Sequence, residues 1–169
     1  MPPVILKSIP VAAAVFTIGW LFATGNAGAN NLPPVHNAPW QQECSACNTL
    51  YHPGLLPERS WRKLMGGLDK HFGENASLDK AAQAAITEFL AANAGDRGDA
   101  RRARKIERSI GPGETPLRIS DTPYMLAKHD EIRSEVWKRK SVASRANCGA
   151  CHPGAERGDF EEHAVRIPR

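Results

Sequence analysis

Apolar positions along this chain recur at the spacing of helices rather than strands. One helix is expected from Pro57 to Gly73, and its apolar face consists of Trp61, Leu64, Met65, Leu68 and Phe72. His71 lies on that face. A second helix is expected after Ser77, which can cap it, and its stripe consists of Leu78, Ala81, Ala82, Ala85, Ile86, Phe89 and Leu90.

The helical pattern continues in the C-terminal third of the chain. Ser120 or Thr122 can cap a helix that has Pro123 in its first turn and that carries His129. A further helical stretch leads towards the C-terminal cysteines and contains the apolar residues Ile132, Val136 and Trp137. Residues 30–43 lack this pattern and are expected to be an extended lead-in. No segment alternates with a two-residue period, so the predicted fold is all-α.

Composition divides the chain into segments. Residues 1–29, in which a basic start precedes an apolar run and small residues up to Ala29, are typical of a cleaved secretory signal. Cleavage after Ala29 would place the folded part outside the cytoplasm, and an uncleaved membrane anchor is the alternative. Two helical lobes are expected, an N-terminal one over residues 30–94 and a C-terminal one over residues 120–169. The segment 95–119 between them is rich in Gly, Arg, Asp and Lys and is expected to be a linker.

A run of basic residues, Arg101-Arg102-Ala103-Arg104-Lys105, belongs to this predicted linker. We interpret the run as part of a solvated connector. A docking patch for an acidic partner is the alternative.

The C-terminal cysteine pair carries the strongest chemical signal. Cys148 and Cys151 precede His152 in a Cys-x-x-Cys-His pattern, in which two thiols bind haem c covalently and the imidazole ligates its iron. The other two cysteines form a second Cys-x-x-Cys pair, so two haems are expected. Two disulfides would not explain His152, and a zinc site usually has its cysteine pairs closer together. Four haem propionates would offset the formal net charge of +4, so nucleic-acid binding is not predicted.

The first pair, Cys44 and Cys47, is followed by Asn48 instead of a histidine. Because a carboxamide is a weak iron ligand, three outcomes are open. The haem attaches and takes a replacement ligand, His52 or His36; it attaches and keeps an open or weakly ligated iron; or it does not attach, and the two thiols form a disulfide.

Electron transfer through a c-type haem works best with two strong axial ligands, so each site needs a second one. His71 and His129 are the strongest candidates, each on a predicted helix with apolar neighbours. Proximity in the sequence pairs His71 with the first haem and His129 with the second, although crossed ligation is open. Met65 and Met125 are reserve ligands, since methionine at helical spacing more often serves packing.

Taken together, these residues resemble the bacterial dihaem cytochrome c family. The resemblance covers almost all of residues 43–168 and is carried by the runs ECSAC (43–47), YHPGLLPERSW (51–61), HFGENASLD (71–79), TP (122–123), NCGACHPGA (147–155), GDF (158–160) and RIP (166–168). It implies a periplasmic, mainly helical, two-lobed cytochrome with bis-histidine haems. Such a protein would pass electrons from a membrane b-type cytochrome to a small soluble cytochrome that can bind oxygen, with peripheral membrane contact.

The family pattern also implies roles for single residues. The thioether positions would be Cys44, Cys47, Cys148 and Cys151, and the axial ligands would be His152, His71 and His129. The chain departs from the family at Asn48, where a histidine is expected, and at His52, where a proline-like residue is expected. The predicted function is an electron carrier rather than an enzyme, because no motif sets up a nucleophile, base and orienter. The competing hypothesis is a haem enzyme or ligand sensor with an open iron at the first site.

Overall fold

The computed structural model describes residues 31–45 and 49–169, and the regular structure of this part is helical. Its six α-helices are α1 (Ala38–Ser45), α2 (Glu58–Met65), α3 (Lys80–Ala92), α4 (Arg101–Ser109), α5 (Pro123–Lys128) and α6 (Ser134–Trp137). β-type pairing in these residues is limited to an isolated bridge between His71 and Glu74. The all-α prediction is therefore confirmed. None of the helices described is long and apolar enough to cross a membrane; the predicted signal, residues 1–29, lies outside the described residues.

Helix α2 packs against α3 but is shorter than the periodicity predicts. The apolar pattern runs on to Phe72, yet the helix ends at Met65, because Gly66 and Gly67 follow and glycine disfavours a helix interior. A 3-10 turn, Leu68–Lys70, replaces the expected last turns. Phe72 is consequently not a core residue: it is 46 % exposed and has a left-handed φ of 53°.

Helix α3 begins at a different cap from the one predicted. The carboxylate of Asp79 accepts hydrogen bonds from the backbone N–H groups of Ala81 and Ala82, whereas Ser77 lies outside the helix. Asp79 is placed to satisfy two of the orphan donors of the first turn. The face buried by α3 is also narrower than expected and is centred on Ile86 and Leu90.

The basic run that was expected to be a solvated connector is helical and forms α4. Ala103 and Ile106 lie one turn apart on its inner face and are buried, and Ile110 continues that face beyond the helix end. A helix can pack against a core through a narrow stripe of apolar residues. The spacing of these three residues therefore explains how a segment with many charges packs against the rest of the protein. The helix packs against α5 and against the turn Pro53–Leu55. The lobe boundaries themselves stay predictions.

The lead-in is also partly helical, because α1 occupies residues expected to be extended. The side-chain oxygen of Asn37 accepts a hydrogen bond from the backbone N–H of Trp40 and so starts the helix. Trp40 is 3 % exposed and its ring packs on Phe89 of α3. Before the helix, Leu32 is buried and its N–H donates to the carbonyl of Gly158 at 3.0 Å.

One core therefore draws on segments from both ends of the described chain. Its buried members are Leu32, Trp40, Leu55, Leu56, Trp61, Met65, Leu68, Ile86, Leu90, Ala94, Ala103, Ile106, Ile110, Ile119, Ala155 and Phe160. Cys44, Tyr51 and Cys148 are half-buried against this core. Residues near both cysteine pairs thus lie at the edge of the same apolar cluster.

Candidate haem-binding sites

The C-terminal motif is held as a compact turn. Residues Cys148–Ala150 form a 3-10 turn, and the backbone N–H of His152 donates to the carbonyl of Cys148 at 2.8 Å. The carbonyl of Cys151 accepts from the N–H of Arg166 at 2.9 Å, which ties the motif to the C-terminal tail. Cys148 and Cys151 are both free thiols in this fold, so neither is used in a disulfide.

His129 faces His152 across this site. Their ring centroids lie 6.1 Å apart, and the ring planes are inclined at 81°. Two imidazoles that ligate one metal from opposite sides, each through a nitrogen at about 2 Å, have ring centroids about 6 Å apart. The spacing of this pair fits a metal held by both rings, and the pairing of His129 with the second haem stays a prediction.

The ring of His129 is fixed by its own helix end. Nδ1 of His129 lies 2.8 Å from the carbonyl oxygen of Met125, four residues earlier. A ligand histidine usually donates its second ring N–H to such an acceptor, which leaves the other nitrogen for the metal. Met125 thus contributes its backbone oxygen here, and its role as a reserve ligand stays a prediction. The ring of Trp137 packs against His129 at 5.9 Å.

Aromatic and cationic neighbours surround His152. The ring centroid of Phe160 lies 5.6 Å from that of His152. The guanidinium of Arg102 donates a hydrogen bond to the backbone carbonyl of Phe160 at 3.0 Å. Burial lowers the pKa of His152, and the nearby His129 and Arg102 lower it further, against a weaker opposing effect of Asp159. The neutral imidazole that results is the form that ligates metals.

The first cysteine pair is described only in part, since Cys47 and Asn48 lie outside the described residues. Cys44 stands near the C-terminus of α1 and is half-buried. Burial raises the pKa of its thiol to about 11, and Glu43 adds to the effect. The roles of Cys44 and Cys47 as thioether positions stay predictions.

His71 does not lie on a helical face, contrary to the periodicity. It follows the turn Leu68–Lys70, and its ring packs against that of Phe72 with centroids 4.6 Å apart and the planes tilted by 57°. Arg118 covers Phe72 at 4.0 Å, and burial together with this cation lowers the pKa of His71. No imidazole of the part of the chain described here opposes His71 as His129 opposes His152.

His52, the expected replacement ligand, is instead part of the core. Its side chain is 3 % exposed, Nε2 lies 2.7 Å from the carbonyl oxygen of Pro33, and Nδ1 accepts the backbone N–H of Gly54 at 2.9 Å. Both ring nitrogens are therefore engaged within the protein. The structure does not favour His52 as an iron ligand, because a ligand needs a nitrogen lone pair that no hydrogen uses.

Other residues at these sites escaped sequence analysis. The hydroxyl of Tyr51 donates to the carbonyl of Ala146, 95 positions away, and so joins the segment after the first motif to the one before the second. Burial raises the pKa of Tyr51 to about 12, with a smaller contribution from the nearby Cys148 and an opposing effect of Arg118. Because of this raised pKa, the hydroxyl of Tyr51 stays neutral and can donate. Met65, a reserve ligand, is the last residue of α2, and it is buried and packs in the core. An aromatic residue beside a motif is the one signal that would have pointed to Tyr51.

Comparison with known proteins identifies the family of this chain. The sequence model of the family described as dihaem cytochrome c matches residues 40–160. A diheme cytochrome c structure from Rhodobacter sphaeroides is 44 % identical, with a TM-score of 0.65, and the match covers 76 % of this chain and 99 % of that one. A structure of diheme cytochrome c from Shewanella baltica is 34 % identical, with a TM-score of 0.64, over 78 % of this chain and 93 % of that one. No curated protein matches.

Proposed function

Because this chain belongs to the dihaem cytochrome c family and carries two haem c groups, we propose that it is a periplasmic electron carrier rather than an enzyme. Electron transfer by haem is the function of the family. Its donor would be a membrane b-type cytochrome and its acceptor a small soluble cytochrome, with peripheral contact to the membrane. The signal-like composition of residues 1–29 supports the periplasmic location.

The opposed pair His129 and His152, 6.1 Å apart, is the observation that carries the proposal. When bound, haem supplies a one-electron ferric–ferrous couple. His129 and His152 would hold the iron in either state, so little has to move when the charge changes. Met125 and Phe160 restrain the two rings, which favours electron exchange over ligand exchange at this site.

Replacing His129 tests this role. We expect His129→Gly in the haem-loaded protein to convert one low-spin haem to high spin, and added imidazole to restore the low-spin spectrum. Reduction of that haem by a soluble electron donor should slow by about tenfold, because an altered coordination sphere must reorganise. The matched control is His163→Gly, since His163 is exposed and close in sequence to the same site. Unchanged optical spectra in His129→Gly would contradict the proposal.

A basic surface around Trp137 supports an acidic redox partner. Arg145 lies over the ring of Trp137 at 5.2 Å, and that ring packs on His129. Lys138 and Lys140 are exposed beside it, and neither forms an ion pair with any residue that the structure describes. We call Lys138, Lys140 and Arg145 the Trp137 surface. Charge complementarity there would bring a partner within reach of the second haem.

Charge-reversal variants can distinguish the Trp137 surface from the basic run on α4 as the docking site. On α4, Arg104 pairs with Asp99, and Lys128 of neighbouring α5 pairs with Glu162, so part of the basic charge on this side is locally balanced. We expect Lys138→Glu with Lys140→Glu to slow reaction with an acidic soluble cytochrome about tenfold at low salt, and the difference to vanish near 1 M salt. The control is Arg101→Glu with Lys105→Glu. An equal loss in both double variants would contradict the docking site.

A further inference from the structure

The indole of Trp137 carries a buried hydrogen-bond donor without an acceptor. Its Nε1 has essentially no solvent-accessible surface, and no acceptor in the part of the chain that the structure describes lies within hydrogen-bond reach. Trp61 shows how this fold otherwise treats a buried indole, since its Nε1–H donates to the carbonyl of Pro53 at 2.7 Å. An unpaired buried N–H costs free energy, and native proteins rarely keep one. The acceptor of Trp137 must therefore come from a group other than these residues.

Trp137 lies against the second haem-binding site. Its ring centroid is 5.9 Å from that of His129, and His129 in turn faces His152. An iron ligated by His129 would lie about 3 Å from the centroid of the imidazole, and hence at most about 9 Å from the centroid of the indole. The rim of a haem on this iron, where the propionates are attached, is therefore within reach of the indole.

A cation lies on the same indole. The guanidinium of Arg145 is 5.2 Å from the ring centroid of Trp137. Arg145 forms no ion pair with a carboxylate of residues 31–45 and 49–169. A carboxylate accepts several hydrogen bonds at once, and those from a cation are the strongest. An N–H donor and a guanidinium on one ring are therefore suited to a carboxylate.

The segment that carries Arg145 is fixed and leads directly to the second cysteine motif. The side-chain amide of Asn147 donates to the carbonyl of Val142 at 3.1 Å, which closes a loop around Arg145. Only two residues stand between Arg145 and Cys148, so their Cα atoms are at most about 11 Å apart. Arg145 therefore stays close to a thiol that would bind haem covalently, on the same side as the indole of Trp137.

A haem propionate fits this position better than a carboxylate of a docking protein or a water molecule. The Nε1 of Trp137 has no surface that a docking protein could touch, whereas haem is bound while the chain folds around it. A buried water would need further polar partners, and it would leave the charge of Arg145 without a counter-charge. A propionate satisfies the N–H and the cation together.

From these observations we propose that the Nε1–H of Trp137 and the guanidinium of Arg145 hold one propionate of the second haem. This inference rests on the proposed function, since it takes the iron of that haem to lie between His129 and His152. The two donors offset the negative charge of the propionate. A negative charge near the iron favours the ferric state, so offsetting that charge favours the ferrous state. Trp137 and Arg145 thus increase the tendency of the second haem to accept an electron.

Nuclear magnetic resonance of the full haem-loaded wild type tests the contact directly. In the reduced protein, in which a haem with two histidine ligands is diamagnetic, the indole N–H of Trp137 is assigned by its loss in Trp137→Phe. We expect a nuclear Overhauser effect between this N–H and the propionate methylene protons of a haem. Its exchange with solvent should be about as slow as that of the Nε1–H of Trp61, which has a known acceptor.

An optical redox titration tests the consequence for the second haem, which is recognised as the one that His129→Gly alters. Trp137→Phe keeps an aromatic ring but removes the N–H. At a fixed potential it should lower the ratio of reduced to oxidised haem about threefold. Arg145→Gln removes a charged donor and should lower this ratio about tenfold. Lys140→Gln, which removes one exposed charge from the same surface, is the control and should change it less than about twofold in 0.5 M salt.

Two results would overturn the proposal. One is an indole N–H of Trp137 that shows no Overhauser effect to haem protons, whatever its exchange rate. The other is an equal change in Arg145→Gln and Lys140→Gln, which would mean that only the general surface charge matters. Electron exchange with a soluble cytochrome is measured on the same wild-type samples. Exchange without the propionate contact refutes this inference but not the proposed function, whereas the contact without exchange refutes the function alone.

Discussion

Replacing His52 by alanine should destabilise the fold strongly while sparing the second haem. The imidazole is 3 % exposed and makes two hydrogen bonds to the backbone, one of 2.7 Å to the carbonyl of Pro33 and one of 2.9 Å from the buried N–H of Gly54. Leaving the buried donor at Gly54 without an acceptor costs about 1–3 kcal/mol, and loss of the part-buried hydrogen bond to Pro33 costs about 0.5–1.5 kcal/mol. The missing ring also leaves a cavity, so we expect a total loss of about 3–5 kcal/mol in the free energy of unfolding.

Guanidinium denaturation of the haem-loaded protein, followed by far-UV circular dichroism, measures this loss. His52→Asn should recover part of it, because the amide oxygen can still cap the turn at Gly54. The exposed His36→Ala is the control and should change stability by less than about 0.5 kcal/mol. A loss below about 1 kcal/mol in His52→Ala would refute the role that we assign to its two hydrogen bonds.

The pH dependence offers a second test of the same residue. Burial lowers the pKa of His52 in the folded protein, and this effect exceeds the opposing one of the hydrogen bond to Pro33. The unfolded chain therefore binds the proton more readily, and stability should fall as the pH drops through about 6.5, by at most about 1.4 kcal/mol per pH unit for this one group. Above that pH the contribution is fully present. The His52→Asn variant should show a flatter profile between pH 7 and pH 5; an identical slope would mean that His52 does not titrate in this way.

Two further substitutions test how the scaffold is built. Asp79→Ala should cost about 1 kcal/mol by removing the cap of α3, whereas Ser77→Ala, at the cap that the sequence favoured, should be nearly neutral; equal losses in urea denaturation would contradict the observed cap. Gly158→Ala should cost about 2–4 kcal/mol, since φ is +73° and the new methyl group would lie 2.9 Å from Cβ of Leu32. Gly98→Ala, which meets nothing within 4 Å, is its control, and a similar melting temperature for both variants would show that the close approach at Gly158 is unimportant.

Much of the second site could be predicted from the sequence because its information is local. The spacing of Cys148, Cys151 and His152 indicates covalent attachment of haem c. His129 follows a helix whose start at Pro123 can be recognised in the sequence. The structure adds that His129 and His152 face each other, which the sequence could only suggest through their proximity.

Features set by competition or by distant contacts could not be predicted in this way. The apolar period continued past Met65, but two glycines ended the helix there. Ser77 and Asp79 are both residue types that cap helices. Asp79 is the cap because the helical backbone begins at Lys80. Histidine is a residue type that ligates iron, so the sequence alone suggests that role for His52. Its role in the fold depends on the carbonyl of Pro33 and on the close approach of Gly54 and Gly158.

The hydrogen bond from Tyr51 to Ala146 has a consequence for the order of assembly. It closes a loop of 95 residues, which carries an entropic penalty on the order of 4 kcal/mol. A chain emerges from synthesis N-terminus first, so Tyr51 must wait for nearly all the rest before this contact can form. The hydroxyl of Tyr51 therefore stays without this partner until Ala146 has emerged, and a chain truncated before Ala146 would lack the link between the segments that adjoin the two cysteine motifs.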